Sequence, residues 1–162
     1  MIIHVKNKST LIIDDFQFKC CIGKNGLNYN KKEGDYSTPK GLFKLKKLYF
    51  RKDRVGTPSC KIQKRIIKKN MAWCDDPSNP KYNNEVPKFN ERNKENLYRV
   101  DFRYDYLITI SHNEKKIPFK GSAIFIHLTK DYKPTAGCIA LQKKDFQILI
   151  KLINRSTKIK IG

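Results

Sequence analysis

This chain predicts a mainly β fold with one clear amphipathic helix near the C-terminus, on three observations. Short runs rich in β-branched and aromatic residues recur along its 162 residues, separated by polar turn chemistry. Gly is sparse at 8, whereas Tyr and Phe number 8 and 9, a composition that suits pleated surfaces. Helical spacing is clear only from Lys143 to Asn154, where Phe146, Leu149, Ile150 and Ile153 fall at i, i+3, i+4 and i+7.

Taken in order, Ile2 to Asp14 reads as a hairpin turning at Asn7-Lys8-Ser9. Phe16 to Ile22 alternates, with Phe16, Phe18, Cys20 and Ile22 on one face and Cys21 on the other, so one of the adjacent cysteines is expected in the core. Gly23 to Thr38 is a loop, Thr38-Pro39-Lys40-Gly41 a turn, and Leu42 to Phe50 a strand. Arg51 to Asn96 is the least regular part. A short strand is expected around Ile66 and Ile67, turn chemistry at Trp73 to Pro80, and a brief helix over Asn93 to Val100. Tyr104 to Ser111 and Ala123 to Leu128 read as strands, and Cys138 to Leu141 as a further one. The helix follows, with Asp145 as its candidate cap, and Lys158 to Ile161 closes the chain as a short strand.

One domain spanning 1–162 is expected, since the length supports a core and no repeat or linker divides it. The formal net charge of +20 has two readings. Either the protein meets a polyanion, or its Lys, Asn and Ile reflect an AT-rich coding sequence. Five cysteines leave at least one unpaired within a monomer. No Cys-x-x-Cys occurs and His4, His112 and His127 stand at no zinc-ligand spacing, so neither metal nor cofactor is expected. No secretory leader is visible after Met1, and no stretch is long and apolar enough to span a membrane.

Chemistry concentrates between Gly121 and Leu141. Gly-Ser-Ala-Ile-Phe-Ile-His-Leu ends a strand near His127, and Pro-Thr-Ala-Gly-Cys-Ile-Ala-Leu presents Cys138 eleven residues later on a Gly-Cys step. A nucleophilic cysteine needs a proton acceptor and backbone N–H groups aimed at the developing oxyanion, and this stretch holds all three. An arbitrary cysteine beside Ile and Ala is a small core residue. The preceding Gly137, the Pro-Thr lead-in and the upstream His127 turn the reading toward catalysis. Cys74, beside Asp75 and Asp76, is disfavoured because carboxylates raise a thiol pKa. Asp131 and Thr135 are candidates to orient the His127 ring.

These residues resemble the L,D-transpeptidases with the YkuD-type catalytic domain. The family signature is a His ending a strand, a loop, then Ser/Thr-x-Gly-Cys-Ile; here His127, Thr135, Ala136, Gly137, Cys138 and Ile139 stand in those places. The match is closest to a subgroup with a short His-to-Cys loop, and landmarks at Glu33-Gly34-Asp35, Thr38-Pro39-x-Gly41, Arg51-x-Asp53-Arg54, Trp73-Cys74-Asp75-Asp76 and Tyr104-Asp105 extend it over nearly the whole chain. Two departures stand out: Ala136 replaces a second histidine found in many members, and Ala140 replaces an Arg or Asn.

The resemblance implies β-sandwich-like mixed sheets and an enzyme of peptidoglycan acting in the periplasm or cell wall, as a monomer and without nucleic acid; the lack of a visible leader leaves the cytoplasm open. Cys138 would attack a stem-peptide carbonyl, His127 would move the proton, and the Gly137 and Cys138 N–H groups would hold the oxyanion, each worth about 2.7–4 kcal/mol. D-alanine leaves, and a second stem or water resolves the thioester, which separates a transpeptidase from a carboxypeptidase or amidase. The basic field is expected to favour the thiolate. Thr135, Arg51, Arg54 and Trp73 are the candidate substrate contacts, although Arg51 and Arg54 have acidic neighbours to brace and Trp73 suits core packing. A third reading is a silent basic module that binds a polyanion, with binding steeply dependent on salt.

Overall fold

The computed structural model describes residues 1–88 and 94–162. Its elements, in order, are β1 (Ile2–Lys6), β2 (Thr10–Ile13), β3 (Phe16–Lys19), β4 (Leu27–Asn28), β5 (Thr38–Pro39), β6 (Gly41–Phe50) and the short α1 (Lys52–Val55). Then come β7 (Gln63–Ile66), β8 (Met71–Cys74), β9 (Glu85–Pro87), β10 (Lys94–Asn96), β11 (Tyr106–Ile110), β12 (Phe125–Leu128), β13 (Ile139–Leu141), α2 (Lys143–Leu152) and β14 (Lys158–Ile161).

A nine-stranded mixed sheet in the order β13-β12-β11-β6-β14-β1-β2-β3, with β7 added parallel to β6, carries the fold. The expected mainly β class with mixed sheets holds: the large sheet curls on itself, beside a three-stranded sheet β10-β8-β9 and the two-stranded β4-β5. Just past β3, the Cys21 N–H donates to the Ala140 carbonyl and the Ala140 N–H donates back to Cys21, both at 2.9 Å, so the two ends of the sheet nearly close on each other. The seam continues as Thr135 N–H to Ile22 O and Lys24 N–H to Thr135 O, each 2.9 Å. Both adjacent cysteines are buried as a result, Cys20 in the main core and Cys21 at the seam.

Strand alternation divides the burial. Ile124, Ile126, Leu128, Ile139 and Leu141 enter the main core with Ile3, Val5, Leu11, Leu48 and Ile108. Their neighbours Phe125, Leu107 and Tyr49 face a second apolar cluster with Ile67, Met71, Leu97 and Tyr104, against which Trp73 and Cys138 pack. Burial on both faces explains why β12 reads as a continuous apolar run. Helix α2 seals the main core with Phe146, Leu149 and Ile150, and Phe146 stacks on Tyr106 at 5.5 Å between centroids. Its N-cap is Gln142, without a side-chain cap; Asp145 lies within the first turn, where its charge meets the positive end of the helix dipole instead of capping it.

Two expectations from the sequence are corrected between Arg51 and Val100, and one unexpected element is added. Trp73 and Cys74 belong to strand β8, which forms a three-stranded sheet with β9 and β10. The expected helix over Asn93 to Val100 is strand β10 at Lys94–Asn96, paired as Lys94↔Cys74 and Asn96↔Ala72, followed by irregular backbone from Leu97 to Val100; Asn93 lies outside the described residues. Pairing with β8 supplies backbone partners that an isolated turn of helix lacks. Helix α1 directly after β6 had no periodicity long enough to reveal it.

Candidate active site

Parallel pairing of β12 with β13 builds the site. Ile126 lies opposite Ile139 and His127 opposite Ala140. His127 therefore shares a sheet face with Ala140 and, one pleat repeat or about 6.6 Å along the strand, with Cys138. The turn that delivers Cys138 is tied from within and from behind. Thr135 Oγ1 donates to the Cys138 carbonyl at 2.6 Å and accepts the Gly137 N–H at 3.1 Å. Thr38 Oγ1, fully buried, donates to the Gly137 carbonyl and accepts the Gly23 N–H, both at 2.8 Å. Gly137 adopts φ 146°, and a Cβ there would lie 2.9 Å from the Ser37 carbonyl oxygen, so no other residue fits this crossing.

This geometry revises two expected roles. The Gly137 N–H is engaged by Thr135 and is not open to an oxyanion. Neither Asp131 nor Thr135 orients the imidazole: Asp131 pairs with Lys133 at 3.3 Å, and the Thr135 hydroxyl is held in the turn. The His127 Nδ1 lies 3.0 Å from the Leu128 carbonyl. A carbonyl only accepts, so Nδ1 carries the hydrogen and Nε2 is left as the basic nitrogen. Tyr104 meets the ring edge-on at 5.4 Å, and its hydroxyl donates to Glu95 at 2.8 Å.

The candidate nucleophile and the candidate base are both uncharged here. The Cys138 thiol donates to the Ala123 carbonyl at 3.2 Å and accepts the Phe125 N–H at 3.4 Å. Burial pushes it up to about 12, opposed by the Phe125 N–H, with the charge of Glu95 adding to the rise and Lys31 easing it. Burial likewise lowers His127 to about 4, against the Leu128 hydrogen bond and helped by the charges of Arg103 and Arg99. The expectation that the basic field would favour a thiolate is not met. The excess lysines are spread over solvent, where water screens them, whereas desolvation acts on the sulfur directly.

A cleft of about 570 Å³ opens over the pair, and its lining includes Cys138, His127, Tyr104 and Thr135. Its charge is divided. Glu33, Asp75 and Glu95 line it, as do Arg99, Arg103 and Lys133. Asp75 Oδ1 is buried with no hydrogen-bond partner, and burial, with Glu33 and Glu95 nearby, raises its carboxyl pKa. Glu33 accepts from the Ser122 hydroxyl at 2.7 Å and from Tyr82.

The remaining candidates nominated by the sequence lie elsewhere. Arg51 is buried, grips Asp53 through Nε and Nη2 at 2.9 and 2.6 Å, and stacks on Tyr98 at 3.5 Å. Arg54 donates to Val100 and Asp101 carbonyls and to Asp105. Trp73 donates to Asn83 at 2.9 Å and packs edge-on against Phe125 at 5.4 Å. None of the three is among the cleft-lining residues. Sequence reasoning missed Arg99, Arg103 and Asp75 as cleft residues, and Thr38 as the anchor of the nucleophile turn. Two of them carried a signal: Asp75 in the Trp-Cys-Asp-Asp landmark, and Thr38 in the Thr-Pro-x-Gly turn, whose partner 99 residues away is set by tertiary structure.

Two solved structures share this fold. Bd1075 from Bdellovibrio bacteriovorus aligns with a TM-score of 0.52 at 15% identity, covering 99% of this chain and 47% of that one. The helical cell shape determining protein Pgp2 from Campylobacter jejuni aligns with a TM-score of 0.52 at 17% identity, covering 99% and 46%. The chain spans about half the length of either. No curated protein sequence matches it. Residues 2–161 match the YkuD family, the L,D-transpeptidase catalytic domain, and the chain belongs to that family.

Proposed function

We propose that the chain is a cysteine acyltransferase acting on peptidoglycan stem peptides, cross-linking them through a thioester on Cys138. The observation that carries this reading is the Cys138 and His127 pair on one face of adjacent parallel strands, under a cleft and in a YkuD-family chain. The thiol rotates from the Ala123 carbonyl toward the imidazole as substrate enters. Its proton passes to His127 Nε2 while sulfur attacks the carbonyl that joins the stem's diamino acid to D-alanine. The Cys138 N–H is the donor offered to the oxyanion. His127 returns the proton to the leaving nitrogen, D-alanine departs, and the thioester remains. An amine of a second stem attacks it, giving the cross-link; attack by water gives carboxypeptidase activity instead.

The divided charge of the cleft supports a zwitterionic stem, with an ammonium beside the unpartnered Oδ1 of Asp75 and a carboxylate toward Arg103; the Arg99 guanidinium is already held by Asp101 at 2.9 and 2.6 Å. Action on the wall, outside the cytoplasmic membrane, goes with this reading; among the described residues no helix is long and apolar enough to cross a membrane. Incubation with disaccharide-tetrapeptide, read by intact protein mass and muropeptide mass, is the test. A thioester adduct and D-alanine release that vanish in Cys138→Ala are expected, and cross-linked against trimmed products distinguish transfer from hydrolysis. Wild type indistinguishable from Cys138→Ala would sink the proposal and leave the polyanion-binding reading.

A further inference from the structure

We propose that a second groove, beside the catalytic cleft, is a docking surface for the glycan strand of the wall polymer. This rests on the stem-peptide reading and extends it from the cleaved peptide to the polymer that carries it. The groove encloses about 1010 Å³, and Lys31 lines both it and the cleft, so the two depressions adjoin across one buried side chain.

Its apolar surface is exposed and held in place. Phe119 is 66% exposed, Tyr29 77% and Ile117 42%, and all three line the groove. Phe119 adopts a left-handed φ of 64°, which is unfavourable for a bulky residue, on a loop whose hydrogen bonds are satisfied internally. Asn113 donates to the Ile117 and Gly121 carbonyls at 2.9 and 3.0 Å and accepts the Ile117 N–H at 3.0 Å. His112 Nε2 lies 2.9 Å from the Lys120 carbonyl, and the Phe119 carbonyl takes the Glu33 N–H at 2.8 Å. Lys40 sits over the Tyr29 ring at 4.6 Å. Strain and an exposed ring are two costs that folding alone does not offset, and together they mark a preorganised contact surface.

Charge selects the occupant. Lys32, Lys115 and Lys120 border the rings, whereas Glu114 is paired to Lys46. The partner is therefore anionic and has flat apolar faces to lay on aromatic rings. An N-acetylated glycan strand has such faces, and its stems carry carboxylates for the lysines. Glu33 joins the two regions mechanically, through its N–H to Phe119 and its carboxylate to Ser122 in the cleft wall.

The test uses the double variant Tyr29→Ser/Phe119→Asn, since Asn tolerates the left-handed backbone. In the Cys138→Ala background, cosedimentation with purified sacculi measures docking without catalysis. With Cys138 intact, KM is compared for sacculi and for soluble disaccharide-tetrapeptide. The expected result is roughly ten-fold weaker sacculus binding and a matching rise in sacculus KM, with soluble turnover unchanged. Unchanged sacculus binding, an equal loss on both substrates, or a loss confined to anionic lipid vesicles would each overturn the proposal. Failure of D-alanine release alone would refute the catalytic reading, while the binding arm still reports on the groove.

Discussion

Cys138 and His127 are both neutral, and the reactivity expected of the candidate site follows from that. A preformed thiolate would need an imidazolium beside it, yet burial opposes both charges. Addition of iodoacetamide to Cys138, followed by peptide mass, is expected to accelerate by about ten-fold per pH unit through the neutral range without a plateau. A plateau there would show an ion pair. His127 also links folding to pH. Its native value of about 4 lies below the ordinary 6.5, so between those values the unfolded chain binds a proton that the native chain does not. Stability is full above about 6.5 and falls with pH through that window by an amount on the order of 3 kcal/mol, with no further loss from this group below about 4. Urea midpoints measured from about pH 7 to about pH 4 should show this slope, and His127→Gln, neutral throughout, should flatten it.

Elements position these residues through a few buried contacts between distant segments. The hydroxyl of Thr38 bridges β5 to the nucleophile turn and to Gly23, so Thr38→Val leaves a buried acceptor and a buried donor unpaired. A loss of about 1–3 kcal/mol in denaturant unfolding is expected, with a fall in kcat as Cys138 loses its register. Arg51 belongs to the same scale. Its guanidinium ties the start of α1 to Asp53, Tyr98 and the Arg99 carbonyl. Arg51→Ala is expected to cost roughly 2–3 kcal/mol of stability while leaving KM for a soluble stem unchanged; a raised KM with unaltered stability would restore the substrate role that its sequence neighbourhood suggests. The β10 segment shows why this scale is hard to read from sequence: Lys94, Glu95 and Asn96 have little strand propensity, and only their pairing with Ala72 to Cys74 makes them a strand.

At the scale of the molecule, the near-closure of the sheet places the Cys138 turn. Cys21 and Ala140 exchange backbone hydrogen bonds at the seam, directly behind the site. Their amides are expected to exchange with solvent as slowly as that of Ile108 in the sheet centre, because opening the seam exposes both apolar clusters. Hydrogen exchange at single-residue resolution checks this; fast exchange at Cys21 and Ala140 alone would show that the sheet behaves as open. Closure also explains Ala140. It is fully buried, paired with His127 on one side and with Cys21 at the seam on the other.

The sequence alone determined the β character and the C-terminal helix, and it nominated Cys138 and His127 as the candidate pair. Each of these rests on local information: alternation of apolar residues, a 3.6-residue period, and a Gly-Cys turn eleven residues after a strand histidine. Tertiary structure alone decided which charges face the cleft, that Gly137 has no N–H to spare, and that the thiol is protonated. Those properties depend on desolvation and on partners such as Thr38, Glu95 and Arg99, which the sheet brings together across distances that no sequence window spans.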